Sequence, residues 1–112
     1  MADVVVGIDV GTTVVKSAAF ALNDLSAPIA VHRRPAAAHS PRPGRSEADP
    51  AAVEALAFGT LRAVATEVGP ERVAAVGISG TACGAWLLDA AGAAVRPPIL
   101  WNDGRAAAIV ER

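Results

Sequence analysis

Asp9, Gly11, Thr12, Thr13 and Lys16 lie close together near the start of the chain and have the residue types needed to hold a polyphosphate. Glycine removes a side chain where a backbone must approach a bulky anion, and it permits a positive φ at Gly11 that would aim successive amides inward. Thr12 and Thr13 add hydroxyl donors beside those amides. Lys16 can bring a point charge to the terminal phosphates. Asp9 would repel an anion, so its chemistry is that of a carboxylate facing a hydrated divalent cation that lies between it and the phosphates. Magnesium keeps several waters and takes few protein ligands, which suits one carboxylate acting through water. The same residues also read as a plain hairpin turn, because aspartate and glycine favour turns. Two other phosphate motifs are excluded. A Walker loop has glycine directly before its lysine, where Val15 stands here. The three spaced glycines and following helix of a Rossmann fingerprint are also missing.

Positioning these residues requires two strands joined by a tight loop. Val4 to Val10 is a short β-branched run and Val14 to Leu22 a second apolar run, so both are predicted strands. Asn23-Asp24 signals a turn, and Pro28 to Arg34 can supply a third strand. Residues 35–46 hold three prolines and a glycine without periodicity, which predicts an irregular surface loop. Asp49-Pro50 opens a helix, since aspartate caps the first-turn amides and proline lacks a donor that would be orphaned there. Val53, Leu56, Ala57, Leu61, Val64 and Val68 recur at helical spacing, and Gly69-Pro70 ends the run. Val73 to Ser79 reads as a buried strand and Gly84 to Leu88 as a further strand closed by the turn Asp89-Ala90-Ala91-Gly92. A last helix is expected from about Gly104, capped by Asp103 and still running at Arg112. The order is βββαβ, and a chain ending inside a helix reads as cut short.

At 112 residues and 53% apolar content the chain is expected to form one globular unit without disulfides. Ten basic and eleven acidic residues nearly cancel, which argues against nucleic acid and anionic membrane partners. No apolar run reaches the roughly 18 residues of a membrane helix, and the single cysteine, Cys83, fits a reducing, cytoplasmic setting. A lone cysteine in an apolar stretch reads as a buried, inert thiol. His32 and His39 lack metal-ligand spacing and, with Arg42 and Arg45, read as solvated side chains.

The strand-loop-strand resembles the first phosphate motif of the actin, hexokinase and heat-shock chaperone superfamily. Val76-Gly77-Ile78-Ser79-Gly80, Trp86-Leu87-Leu88-Asp89, and Pro98 through Arg105 (Pro-Ile-Leu-Trp-Asn-Asp-Gly-Arg) narrow the resemblance to the N-terminal domain of the FGGY carbohydrate kinases, xylulokinase-like members above all. Ser46-Glu47-Ala48-Asp49-Pro50 sits where that family has a Glu-x-Asp-Pro lead into its first helix. The resemblance implies an α/β, ribonuclease H-like (actin-like ATPase) domain with a mixed sheet, incomplete at its C-terminal end, and a second domain lying outside this chain. It implies ATP-dependent phosphorylation of a sugar or polyol with ATP and Mg2+, the remainder of the kinase chain as partner, and room for a homodimer. By the same resemblance Asp9 is metal-associated, and Gly11, Thr12, Thr13 and Lys16 contact the β- and γ-phosphates. Two segments, 80–84 and 101–105, would line the sugar site. Thr81, Ala82 and Cys83 fall where xylulokinases carry Gln-Met-His, and Trp101, Asn102 and Asp103 fall on the second stretch. The smaller Ala82 and Cys83 put xylulose itself in question, because cysteine is a poorer hydrogen-bond partner than imidazole. Trp101 suits a sugar face or the core beneath the last helix. The catalytic aspartate and the adenosine site are expected outside these residues, so this piece alone is expected to be inactive. The alternatives are an actin-like nucleotide-binding module without sugar kinase activity, and a non-catalytic fragment.

Overall fold

The computed structural model describes residues 1–112. Strands β1 (Val4–Val10), β2 (Val14–Ala21) and β3 (Ala30–Pro35) form an antiparallel meander. Two short strands follow, β4 (Ala38–His39) and β5 (Glu47–Ala48), then helix α1 (Pro50–Val68), a single 3-10 turn (Pro70–Arg72), strand β6 (Val73–Gly80) and the one-turn helix α2 (Ala107–Val110). The main sheet runs β3-β2-β1-β6, with β6 parallel to β1. This is the expected mixed sheet in βββαβ order.

Alternation along the strands decides which face is covered. Val4, Val6 and Ile8 of β1 and Val15, Ser17 and Ala19 of β2 are buried beneath α1. The core is Val4, Val6, Ala19, Ala30 and Val64, with Leu61, Val68 and Val73 against it. Helix and sheet also share a buried polar bond, 2.8 Å between the Ser17 and Thr60 hydroxyls. Thr60 donates to the Ala57 carbonyl at 3.1 Å, so Ser17 is the donor between the two. The helix starts as its sequence dictates: the Asp49 carboxylate accepts from the Ala51 amide at 3.0 Å. It ends at Gly69, whose φ of 94° favours glycine.

The opposite face of the sheet is bare. Only 13 of 112 residues are buried, and the radius of gyration of 16.8 Å exceeds the roughly 13 Å of a compact chain this long. Within these residues the core is open on one side, in keeping with an incomplete domain, and Val73 to Ser79 is exposed where a buried strand was expected. Helix α1 lies over β1, β2 and β3 and leaves β6 uncovered at the sheet edge, with Ile78 75% exposed.

Three further expectations are corrected. Loop 35–46 is not wholly irregular, because Ala38–His39 pairs with Glu47–Ala48. Gly84 to Leu88 forms no strand; Ala85 and Leu88 make isolated bridges to Ile99 and Ala94, while the Asp89 turn forms as expected, its carboxylate accepting from the Ala91 and Ala93 amides. The last helix spans four residues rather than running from Gly104 through Arg112, and its N-cap is Ala106, without a side-chain bond. Asp103 does accept from the amide two residues on, that of Arg105 at 2.9 Å, but the helix begins only at Ala107, beyond its reach. No helix is long and apolar enough to cross a membrane.

Candidate functional site

The β1–β2 hairpin turns on Gly11, Thr12 and Thr13, with the Gly11 amide donating to the Val14 carbonyl at 3.1 Å. The positive φ expected at Gly11 is absent; the glycines with positive φ are Gly44, Gly69 and Gly92. Glycine is required here by crowding. A Cβ at this position would lie 2.7 Å from the Val14 carbonyl oxygen and 3.9 Å from Asp9 Oδ1. The same measurement shows the Asp9 carboxylate leaning over the turn. The amides of Thr12 and Thr13 donate to no group in the chain, and the exposed Lys16 makes no ion pair. The Thr13 carbonyl accepts from the Ala36 amide at 2.9 Å, which ties the hairpin tip to the end of β3.

Register adds two residues that the sequence did not disclose. Asp9 stands opposite Lys16 on one side and Ser79 on the other, and Lys16 stands opposite Arg33. Ser79, Asp9, Lys16 and Arg33 thus form one polar row across all four strands, on the face away from α1. The next row in is Gly77, Gly7, Ala18 and Val31, wholly apolar. A groove of about 680 Å³ runs along this face, lined by Gly7, Asp9, Lys16, Phe20, Arg33 and Ser79 among others. Arg33 carries no local signal, and Ser79 figures in the sequence only within the Val76–Gly80 resemblance, without a site role. Their place is set by the length of the β2–β3 connection and by the crossover through α1.

The other expected site residues fall into two groups. Thr81 is brought to the hairpin: its hydroxyl donates to the Val10 carbonyl at 2.9 Å, and it shares a small cavity with Gly11, Thr12, Trp86 and Leu100. Ala82, Cys83, Trp101 and Asn102 line none of the four principal cavities and stand exposed. Cys83 is not the buried thiol expected, but an exposed residue with φ of 59°. Trp101, 61% exposed, does not fill the core. Nor is His32 fully solvated; its ring bonds Glu67 at 2.7 Å and bridges β3 to α1. His39, Arg42 and Arg45 are exposed as expected.

Asp103 is the most constrained of the set. Oδ2 accepts from the Ser46 amide at 2.7 Å and from Arg105 Nη2 at 2.7 Å. Oδ1 accepts from the Arg105 amide at 2.9 Å and Arg105 Nε at 2.8 Å. The hydrogen bond from the Arg105 guanidinium, against the opposing effect of burial, holds the Asp103 carboxyl well below the usual carboxylate range. Arg105 also donates to Glu47 at 2.7 Å, and this bond lowers the Glu47 carboxyl in turn.

Chemically, free amides beside a cation suit an anion, and a lone carboxylate next to them suits a cation carried by that anion. No group of three His, Cys, Asp or Glu side chains could hold a metal by itself. Comparison with known proteins agrees with this architecture. Residues 4–112 match the model of the N-terminal domain of the FGGY family of carbohydrate kinases. The xylulose kinases of Klebsiella pneumoniae and Escherichia coli strain K12 are each 37% identical over 102 residues, 91% of this chain and 21% of theirs. The solved xylulose kinase from Rhodospirillum rubrum superposes with a TM-score of 0.87 at 34% identity, over 96% of this chain and 22% of that one. The Plasmodium falciparum glycerol kinase solved with ADP, at 18% identity and a TM-score of 0.78, shares the fold. This chain spans about a fifth of the length of the xylulose kinases it matches. From the family match over 4–112 and the mixed sheet beneath it, the chain belongs to the FGGY family of carbohydrate kinases, within the N-terminal domain.

Proposed function

We propose that the full-length protein transfers the γ-phosphoryl group of ATP to a hydroxyl of a sugar or polyol, and that this chain supplies the phosphate loop and part of the sugar site. One observation carries the proposal: the unpartnered amides of Thr12 and Thr13 stand beside Lys16 and Asp9, in a chain of a carbohydrate kinase family. Gly11 lets the backbone close in, Thr12 and Thr13 donate to the β- and γ-phosphates, and Lys16 offsets their charge. Phosphoryl transfer depends on such positioning and charge stabilisation rather than on covalent chemistry by the protein. Asp9 fits a magnesium ion held mainly by the phosphates, because one carboxylate can orient its waters and no protein cage competes for it. Magnesium bound there would neutralise charge developing on the transferred group.

In this reading Thr81, Ala82, Cys83, Trp101 and Asn102 border the sugar, with Asp103 at the end of the second stretch. The remainder of the chain brings the base that takes the hydroxyl proton and the adenosine pocket. Relatives named xylulose kinase favour a ketopentose, and Ala82-Cys83 in place of Met-His leaves room for a related polyol. The experiment is a panel of ketoses, aldoses and polyols offered to the full-length protein with MgATP, reading ADP release and phosphosugar mass together. The expected result is one ketopentose or polyol with the highest kcat/KM. ADP release without any phosphorylated sugar would overturn the reading in favour of an actin-like nucleotide module. On the same panel Cys83→His should reorder the preferred substrates, and an unchanged ranking removes Cys83 from the site.

A further inference from the structure

Trp101 and Asn102 are the two central residues of a tight turn, closed by the Asp103 amide donating to the Leu100 carbonyl at 3.0 Å. Both side chains are exposed and make no hydrogen bond in the chain. What holds the turn is on either side of it. Leu100 is buried, and its amide donates to the Ser46 carbonyl at 2.9 Å. The Gly104 amide donates to the Gly44 carbonyl at 2.7 Å. Gly44 takes a φ of 77°, and a Cβ on Gly104 would lie 3.2 Å from that carbonyl, so both positions need glycine or a shift of the backbone.

Between these backbone ties lies the ionic clasp. The Asp103 side chain is 1% exposed and accepts four hydrogen bonds, which uses its lone pairs and leaves none for a sugar hydroxyl. Arg105 grips Asp103 through both Nε and Nη2, a planar fork that lysine cannot reproduce. Nη2 then reaches Glu47, 11% exposed, which also accepts from Arg96 at 3.1 Å. A desolvated ion cluster is weak evidence for stability, since removing charges from water offsets most of their attraction. What such a cluster does supply is a fixed geometry.

We propose that Glu47, Arg105 and Asp103 are positioning residues for the sugar site: they set the Leu100–Asp103 turn so that Trp101 and Asn102 meet the sugar, and Asp103 itself does not touch it. This rests on the reading of residues 101–102 as part of the sugar site. The clasp joins the segment before α1 to the segment after the Pro97-Pro98 step, so it fixes where the turn stands relative to the start of α1.

The test uses the full-length protein with Glu47→Gln, Arg105→Lys and, as a control, Arg72→Ala. The control removes a two-bond arginine–carboxylate pair with Asp3, away from the clasp. Glu47→Gln and Arg105→Lys should raise the sugar KM by about ten- to a hundredfold, the penalty of a small misplacement. The ATP KM should stay within about twofold, as is expected when only one substrate's site is disturbed. Amide exchange should quicken at 44–48 and 99–105 alone. Arg72→Ala should move neither KM. An unchanged sugar KM in both clasp variants, in an enzyme whose wild type phosphorylates the sugar, overturns this inference and leaves the function intact. Equal loss of sugar and ATP affinity with faster exchange throughout also overturns it, by showing a merely structural role. A wild type that phosphorylates no sugar overturns the functional reading, and this inference with it.

Discussion

At the tip of the β1–β2 hairpin the Thr12 and Thr13 amides donate to nothing within the chain, whereas 57 and 58 residues separate partners that are fully engaged in the Ser46–Asp103 and Glu47–Arg105 bonds. Both regions are polar, and each includes residues that the family resemblance assigns to the site, 11–13 in the first and 103–105 in the second. They differ in whether their hydrogen-bonding capacity is spent. Donors left open at a surface turn are available to a ligand and need no rearrangement when it arrives. A carboxylate with both oxygens engaged, as in Asp103, can only hold its neighbours still, and it loses by being broken rather than gains by being met. The difference separates open groups from engaged ones, and it is the ground for proposing Asp103 as a positioning residue.

The largest effects are expected at the open region. Asp9→Ala in the full-length enzyme should lower kcat by about 10²-fold or more, the range seen when one electrostatic stabiliser of a transition state is removed. The sugar KM should barely move. Parental turnover at saturating MgATP would remove the metal-associated role from Asp9.

Gly11→Ala tests the same loop through sterics alone. Its methyl group would press on the Val14 carbonyl 2.7 Å away. A shift of the hairpin should raise the ATP KM about tenfold and lower stability by about 1–3 kcal/mol, the usual penalty of overpacking. An ATP KM and urea midpoint equal to those of the parent would show that the close approach is unnecessary.

A paired polar site remote from both regions sharpens the contrast. Thr60→Val leaves the Ser17 hydroxyl buried without its acceptor and should cost about 1–3 kcal/mol, while Ser17→Ala with Thr60→Val should be close to neutral. Additive losses in a double-mutant cycle would mean the two hydroxyls are not coupled.

The smallest effect expected is in acid. Asp103, Glu47 and Asp3 all lie below their ordinary values, first because of hydrogen bonds from Arg105, Arg105 and Arg72 respectively. A carboxyl whose folded value is lowered binds fewer protons folded than unfolded, so its contribution is complete above the unfolded value of about 4 and is lost as pH falls toward the folded one. The urea midpoint should therefore be insensitive to these groups from neutrality to about pH 5 and decline below about pH 4. Glu47→Gln should make that decline shallower. An identical acid slope in the variant would show that the clasp does not couple to protons.

Much of the frame was legible in the residues because the signals are local. Short apolar runs, the first rich in β-branched residues, gave β1 and β2, the Asp49-Pro50 pair gave the start of α1, and Gly69 gave its end. Errors arose where a local pattern needed a distant partner to act on. Val73 to Ser79 looked buried because it is apolar, yet burial requires something to lie over it, and α1 covers only the other strands. Gly84 to Leu88 had the composition of a strand without a neighbour aligned to pair with it. Asp103 had the residue type of a cap and does accept from the Arg105 amide, but the helix itself begins only at Ala107.

Local residue patterns were enough for the succession of β1, β2, β3, α1 and β6, for the hairpin with its phosphate-binding residue types, and for the limits of α1, because each depends on neighbours a few residues apart. Only the tertiary structure shows that Ser79 and Arg33 join Asp9 and Lys16 in one row, that a Cβ at Gly11 would crowd the Val14 carbonyl, and that Arg105 holds Asp103. Register and long-range hydrogen bonds depend on where distant segments meet in space, and no short window of residues encodes that meeting.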